Sequence, residues 1–220
     1  MLLDRHLHGR IDHVSPDSEQ PCEQPRSCVQ TVMLTMRETI IVTDDFYQDP
    51  LGVRAFALRQ DFSVKGNYPG ARTQAFLHDE LAAAIQSVVG LPITYWPRDT
   101  YNGAFQFSVA TDRTWVHADH TTTWSGVLYL TPNAPASAGT AFFRHHQSGN
   151  ETYPADEAQR RQCDADAGVW DRWQVTDQIG NRFNRLILFR GQRFHCSRGH
   201  FGDTKENGRL FQTFFFNTTY

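Results

Sequence analysis

Long apolar runs are missing from this chain of 220 residues. A helix that spans a bilayer needs about 20 consecutive apolar residues, and no stretch of the sequence approaches that length. The beginning of the sequence also lacks the basic segment, apolar core and small-residue cleavage site of a secretory signal. We therefore expect a cytoplasmic protein that does not associate with a membrane.

Cysteine is scarce and its spacing is uninformative. The four cysteines are Cys22, Cys28, Cys163 and Cys196, and no two of them form a Cys-x-x-Cys pair. A reducing compartment would keep them as thiols, and an isolated buried cysteine usually behaves as a small hydrophobic residue. We expect no disulfide framework.

Net charge is also small, because 21 Lys and Arg stand against 24 Asp and Glu, for a formal charge of −3. Proteins that bind nucleic acid or anionic membranes usually carry an excess of basic residues. We therefore expect no nucleic-acid partner, and specificity must come from a local site.

Aromatic residues, by contrast, are plentiful, with 16 Phe, 7 Tyr and 5 Trp, and hydrophobic residues make up 40% of the chain. This composition supports a folded core, and the length suits one domain with some surplus. Residues 1–36 are rich in Ser, Pro, Gln and charge without periodicity, which predicts a loose tail before a single domain over 37–220. Translation could start at Met1, Met33 or Met36, and the sequence leaves this open.

The first half of the proposed domain shows mostly helical patterns. A β-branched strand is predicted at 38–43, a helix at 51–59, a turn-rich loop at 66–72 and a second helix at 77–89.

After Tyr101 the pattern changes to short strands, predicted at 103–110, 124–131, 139–144, 184–190 and 209–217. The segment 150–182 breaks the strand pattern, and we interpret it as an insertion whose Trp170 and Trp173 act as a lid. Helices followed by many strands predict an α+β fold with a mainly β core, closed into a sandwich or jelly roll.

The motif His117-Ala118-Asp119 is the clearest local indication of chemistry. Residues two apart in an extended chain point to the same side, so an imidazole and a carboxylate can converge on one metal ion. A lone motif of this kind also occurs by chance, and only its context gives it weight.

A third ligand would have to come from a distant strand end. His195 follows the apolar strand that ends at Phe189. Two histidines and one carboxylate, with open coordination positions, are typical of non-haem Fe(II) oxygenases. Such a site needs a cation for the cosubstrate carboxylate, and the planar fork of Arg209 at the start of the last strand suits that role.

The order of these motifs resembles that of the 2-oxoglutarate- and Fe(II)-dependent dioxygenases of the prolyl-hydroxylase-like type, specifically an uncharacterised bacterial branch described as a domain of unknown function. The resemblance covers about 101–217, and more loosely the chain from 38. The motifs that carry it are His117-x-Asp119, Ser125–Thr131, Ala138–Phe143, Asn184–Phe189, His195 and Gly208–Phe214.

The resemblance implies a double-stranded β-helix, a cupin-like jelly-roll barrel with supporting N-terminal helices. It implies that His117, Asp119 and His195 ligate Fe(II), that Arg209 pairs with 2-oxoglutarate, and that O2 is the oxidant. The expected reaction is hydroxylation of an amino acid, a peptide or protein side chain, or a small natural product.

The sequence departs from the family pattern near Arg209. Many relatives have Ser two residues after this arginine, where this chain has Phe211. Thr213 lies on the same face and could replace that serine. His200 competes with His195 as the distal ligand, although we favour His195 because it follows its strand directly.

Several further residues are candidates for the pocket. Gln106 and Tyr129 could line the cosubstrate site, and Tyr68 and Arg72 could reach the substrate from a loop. The pair His145 and His146 follows a strand, and we interpret both as surface residues.

Two other functions remain open from the sequence. One is a cupin-type metalloenzyme that does not use 2-oxoglutarate, and the other is a non-catalytic jelly roll that binds a sugar or another ligand. Oligomeric state is not indicated by the sequence.

Overall fold

The computed structural model describes residues 38–66 and 68–219. The predicted tail at 1–36 lies outside these ranges. Within them, no helix is both long and apolar enough to cross a membrane.

The described residues form three α-helices, ten strands and one 3-10 turn. The helices are α1 (Pro50–Leu58), α2 (Asp79–Val89) and α3 (Glu157–Asp166), and the 3-10 turn is Trp170–Arg172. The strands are β1 (Ile40–Thr43), β2 (Ala71–Ala75), β3 (Ile93–Tyr95), β4 (Ala104–Ser108), β5 (Trp124–Tyr129), β6 (Thr140–His145), β7 (Trp173–Ile179), β8 (Leu186–Arg190), β9 (His195–Ser197) and β10 (Arg209–Thr218).

Local interactions fix the start of α1 and the end of α2. Asp49 caps α1 by accepting a 2.9 Å hydrogen bond from the Gly52 N–H, and Pro50 occupies the first turn. Gly90 ends α2 with a φ of 72°, a left-handed conformation that glycine adopts without strain. The buried side of α2 carries Leu81, Ile85 and Val89, spaced by four residues, so this helix packs against the core.

Seven strands form the larger sheet, in the order β1-β8-β5-β10-β4-β2, with β3 paired to β10. Strand alternation gives β10 two different faces. Leu210, Phe214 and Phe216 belong to the hydrophobic core that also includes α2. Residues of the opposite face line a cavity, namely Arg209, Phe211, Thr213 and Phe215. The sheet thus separates a packed core from the cavity.

The smaller sheet has the order β7-β6-β9. An isolated antiparallel bridge between His117 and His195 adds the chain around His117 next to β9. The two antiparallel sheets and the helices confirm the predicted α+β fold with a mainly β core, arranged as a double-stranded β-helix.

Four strands were not predicted from the sequence: β2, the short β3, β7 and β9. The loop expected at 66–72 leads into β2, and the short β9 begins at His195 itself. The expectation that 150–182 breaks the strand pattern is wrong for its last part, which forms β7 and pairs with β6 along its length. β7 was missed because most of its residues are polar and exposed, so no apolar alternation marks it.

Candidate metal centre and adjoining cavity

His117 and His195 are joined by two backbone hydrogen bonds. The His117 N–H donates to the His195 carbonyl at 3.0 Å, and the His195 N–H donates to the His117 carbonyl at 2.8 Å. Directly paired residues of an antiparallel ladder extend their side chains to the same face. The two imidazole rings accordingly lie 4.4 Å apart between centroids.

Asp119 joins the two histidines from the same segment as His117. Its N–H donates to the Gly191 carbonyl at 2.7 Å, which anchors the segment beside the end of β8. One carboxylate oxygen lies 3.4 Å from Nε2 of His195, and the other lies 3.9 Å from Nε2 of His117. One ligand atom from each of these residues lies within 4.8 Å of the others, close enough for a single metal ion.

Both imidazoles are oriented by their Nδ1 atoms. Nδ1 of His117 lies 3.2 Å from the Trp115 carbonyl, and Nδ1 of His195 lies 2.8 Å from the Arg193 carbonyl. Since a carbonyl only accepts, each Nδ1 carries the proton and each Nε2 presents its lone pair toward Asp119. Histidines that bind metals are commonly oriented in this way by a second hydrogen bond.

The protonation states of His117 and Asp119 suit a metal cation. Burial and the neighbouring His195 lower the pKa of His117 to about 4, although Asp119 opposes this shift. Burial alone would raise the pKa of Asp119, but its interactions with His195 and His117 outweigh burial and lower this pKa to about 2. At neutral pH His117 is therefore a neutral imidazole and Asp119 a carboxylate, the forms of these side chains that bind a divalent cation.

The cluster opens into a cavity of about 530 Å³ between the two sheets. This volume lies within the range of small-molecule sites, which are mostly apolar with a few placed polar groups. The aromatic part of the wall comes from Tyr68, Tyr95, Tyr101, Trp115, Phe189, Phe211 and Phe215. The polar part includes Gln106, Thr122, Ser125, Thr140 and Thr213.

Arg209 lines this cavity from the opening residue of β10 and is only 1% exposed. Its Nε donates to the Ala138 carbonyl at 3.1 Å. The guanidinium also lies over two rings, 4.4 Å from the centroid of Phe211 and 5.2 Å from that of Tyr129. These contacts hold a cation in the same cavity as the cluster, as a carboxylate ligand would require.

The other residues proposed for the cosubstrate pocket differ in position. Thr213 lines the cavity, but its hydroxyl donates to the Tyr101 carbonyl at 2.9 Å and so has no proton left for a carboxylate. Gln106 also lines the cavity, and its amide donates to the Pro69 carbonyl at 2.5 Å. Tyr129 is buried behind the cavity wall, where its hydroxyl lies 2.8 Å from that of Thr140.

Tyr68 contacts the candidate metal centre directly. Its ring lies 4.4 Å from that of His117 and 5.0 Å from that of Trp115. Its hydroxyl lies 2.5 Å from the Thr114 hydroxyl and accepts a 3.3 Å hydrogen bond from the Ser197 N–H. Tyr68 therefore packs His117 in place and forms one wall of the cavity. Tyr101, on the same wall, was not singled out from the sequence, where no motif marks it.

Two other histidines lie away from the cluster. His200 bonds through Nδ1 to the Asp112 carbonyl at 3.0 Å and is not among the residues that could share the metal. The interpretation of His145 as a surface residue is wrong, since it is fully buried and its Nε2 lies 3.0 Å from Asp166. This contact joins β6 to α3. The sequence around His145 does not indicate that α3 packs there, so the burial of His145 could not be predicted from it.

The two tryptophans proposed as a lid do not line the cavity. Trp173 is buried on β7 and packs edge-on against Phe194 with centroids 4.8 Å apart. Trp170 lies over Phe143 on the smaller sheet, at 6.3 Å. Both residues pack the insertion onto the smaller sheet, because the 3-10 turn that holds Trp170 leads directly into β7, which begins at Trp173 and pairs with β6.

Comparison with known proteins agrees with this architecture. A family described as a family of unknown function, DUF6445, matches residues 25–216. No curated protein matches the chain.

Solved structures show the same fold. HygX from Streptomyces hygroscopicus, with nickel and 2-oxoglutarate bound, has a TM-score of 0.56 at 14% identity, over 83% of this chain and 84% of that one. HygX with hygromycin B also bound gives the same values. SnoN, a non-haem α-ketoglutarate-dependent epimerase from nogalamycin biosynthesis, has a TM-score of 0.50 at 12% identity, over 80% and 77% of the two chains. The resemblance to 2-oxoglutarate- and Fe(II)-dependent oxygenases is thus confirmed at the level of fold.

Proposed function

The chain belongs to DUF6445, a family of unknown function, and we propose that it is an Fe(II)- and 2-oxoglutarate-dependent oxygenase that hydroxylates its substrate. The observation that carries the proposal is the convergence of His117, Asp119 and His195 in one cavity with the buried Arg209. Two neutral imidazoles and one carboxylate are the donor set of non-haem Fe(II) oxygenases. The relatives of known structure include one with nickel and 2-oxoglutarate bound, HygX.

In this proposal His117, Asp119 and His195 hold Fe(II) through Nε2, the carboxylate and Nε2. Bound iron supplies the oxidation of a C–H bond by O2, coupled to decarboxylation of 2-oxoglutarate to succinate and CO2. The protein binds and orients the reactants and keeps bulk water away from them. Arg209 pairs with the distal carboxylate of 2-oxoglutarate, and Gln106 completes the polar wall of that pocket.

The substrate that we propose is an amino acid, a peptide or protein side chain, or a small natural product, acted on in the cytoplasm. A cavity of about 530 Å³ is large enough for 2-oxoglutarate together with part of such a substrate. The net charge of −3 disfavours nucleic acid as the substrate.

An anaerobic titration tests this function. Fe(II) and then 2-oxoglutarate are added to the protein, and the visible metal-to-ligand charge-transfer band of the chelate is recorded. We expect the band in the wild type and in the control Asp171→Ala, whose carboxylate is exposed on the 3-10 turn. We expect no band in Asp119→Ala, which lacks one ligand.

The outcomes separate the candidate functions. Absence of the band in the wild type, beside a known oxygenase that shows it, would exclude the proposed function. Fe(II) binding without the band would favour a cupin-type metalloenzyme that does not use 2-oxoglutarate. A sugar- or ligand-binding jelly roll would bind its ligand equally well as Asp119→Ala.

A further inference from the structure

Arg72 is a second buried cation in the cavity. It lies on β2, lines the cavity wall and is only 4% exposed. Its position pairs with Gln106 on β4, and β4 separates β2 from β10, which carries Arg209. Neighbouring strands lie about 4.8 Å apart, so the backbones of the two arginines stand on strands roughly 10 Å apart.

The guanidinium of Arg72 is incompletely paired. Nη2 donates to the Tyr68 carbonyl at 2.9 Å, whereas Nη1, which packs against Gly66, is buried with no hydrogen-bond partner among the described residues. The acidic groups that act on the Arg72 guanidinium are the phenols of Tyr101 and Tyr68. Among the residues that the structure describes, no carboxylate forms an ion pair with Arg72. A buried charge without a counter-ion is costly, and a desolvated charged group in a cavity is a candidate for ligand binding.

The surroundings of Arg72 are aromatic. Its Cζ lies 4.9 Å from the centroid of the Tyr101 ring. Tyr68, whose carbonyl it bonds, packs against both His117 and Trp115 with tilted rings. An anion at Arg72 would therefore lie beside aromatic side chains and in the same cavity as the candidate metal centre.

We propose that Arg72 binds a carboxylate of the substrate, so that the protein acts on a carboxylic acid with an apolar or aromatic body. The assignment to a substrate, as distinct from the cosubstrate, rests on the proposed function, in which Arg209 takes 2-oxoglutarate. One guanidinium matches one singly charged carboxylate. The carboxylate replaces the missing counter-ion and directs the apolar part of the molecule toward His117.

Binding of a neutral and an anionic probe of the same shape tests this subsite. Protein loaded with Zn(II), which has no redox chemistry, and with saturating 2-oxoglutarate is titrated calorimetrically with phenylacetate and with phenylacetamide. We expect the wild type to bind phenylacetate at least about 10-fold more tightly than phenylacetamide. Arg72→Gln should bind both probes equally, and Arg72→Lys should keep part of the preference.

The control variant is Arg113→Gln, which removes an exposed arginine outside the cavity wall and should keep the wild-type preference. A wild type without preference for phenylacetate, or a preference that survives in Arg72→Gln, would overturn the proposal.

A second measurement separates the subsite from the cosubstrate site. In the anaerobic Fe(II) titration, Arg72→Gln should bind 2-oxoglutarate as the wild type does, whereas Arg209→Ala should not. If both variants weaken 2-oxoglutarate equally, Arg72 belongs to the cosubstrate site and the proposal is wrong. If the wild type gives no charge-transfer band but prefers phenylacetate through Arg72 without 2-oxoglutarate, the oxygenase function fails and the anion subsite stands.

Thermal unfolding of the ligand-free protein distinguishes binding from a structural role. Removing an unpaired buried charge should leave the Tm of Arg72→Gln and Arg72→Met equal to or above that of the wild type. A fall of more than about 5 °C in both variants would show that Arg72 serves folding, and would overturn the proposal.

Discussion

His117 and His195 exchange both of their backbone hydrogen bonds, at 3.0 and 2.8 Å, so two residues far apart in the sequence form one rung of an antiparallel ladder. Backbone pairing fixes the positions of the two Cα atoms, and the hydrogen bonds of Nδ1 fix the orientation of the two imidazole rings. Backbone pairing therefore ties His117 to the start of β9, which favours a preorganised arrangement of the two imidazoles.

The distal ligand can be identified by substitution. We expect His195→Ala to weaken Fe(II) binding by at least about 100-fold, because it removes a ligand and not merely its support. His200→Ala should bind Fe(II) like the wild type, since His200 bonds to Asp112 and lies outside the cluster. Anaerobic Fe(II) titration measures both, with the exposed His146→Ala as a control. Loss of iron in His200→Ala with retention in His195→Ala would reverse the assignment.

Gly191 supports Asp119 by leaving space. A Cβ at this position would lie 2.5 Å from the Asp119 carbonyl oxygen and 2.7 Å from that of Thr122. We expect Gly191→Ala to lower the free energy of unfolding by about 1–3 kcal/mol and to weaken Fe(II) binding by displacing Asp119. Gly168→Ala is the matched control, because no atom lies within 4 Å of its added Cβ. Urea unfolding and metal titration measure the two effects, and equal behaviour of the two variants would contradict the prediction.

Arg209 should act on the cosubstrate and not on the metal. We expect Arg209→Ala to weaken 2-oxoglutarate binding by at least about 30-fold, the loss typical of a buried charged partner, and to leave Fe(II) affinity unchanged. Arg209→Lys keeps the charge without the planar fork, so its affinity for 2-oxoglutarate should lie between those of the wild type and Arg209→Ala. The charge-transfer titration gives both affinities. Parallel losses of 2-oxoglutarate and iron in Arg209→Ala would indicate misfolding instead.

Asp44 makes stability depend on pH. Its carboxylate accepts hydrogen bonds from Arg185 at 2.6 and 3.0 Å and from Arg182 at 2.8 Å. The hydrogen bond from Arg185, reinforced by the charges of both arginines, lowers the pKa of Asp44 against the smaller effect of burial. The folded carboxyl therefore has a lower pKa than the unfolded one. Its contribution to stability is complete above the ordinary value of 3.8 and disappears as the pH falls through the folded pKa.

We therefore expect Asp44→Asn to be about 1 kcal/mol less stable than the wild type at pH 7, a size set by its partial exposure. The difference should shrink as the pH falls below 4. Urea unfolding across this range measures it. Asp45→Asn is the control, because Asp45 is exposed and Asn tolerates its φ of 56°. A difference that stays constant with pH would exclude the ionic contribution.

The local pattern of apolar residues was enough to predict the apolar strands, and the spacing of His117 and Asp119 was enough to predict that their side chains lie on one side. β5, β8 and β10 show apolar runs that any buried strand needs, and the sequence placed all three within a few residues of their observed ends. The placement of His117 and Asp119 on one side follows from their spacing of two in extended chain. That these residues bind iron stays a prediction.

Polar edge strands and buried polar contacts gave no such pattern. β7 is mostly polar and exposed, so its pairing with β6 was hidden. His145 is buried only because α3 brings Asp166 to it. Both the pairing of β7 and the burial of His145 depend on a partner from another part of the chain.

The sequence by itself determined a β-rich domain with a histidine and a carboxylate aimed the same way, because side-chain direction in a strand is a local property. Only the tertiary structure decided that His195 and not His200 joins them, and that Arg72 and Arg209 share their cavity. These outcomes depend on long-range strand pairing, whose register is set by the whole sheet and by no single segment.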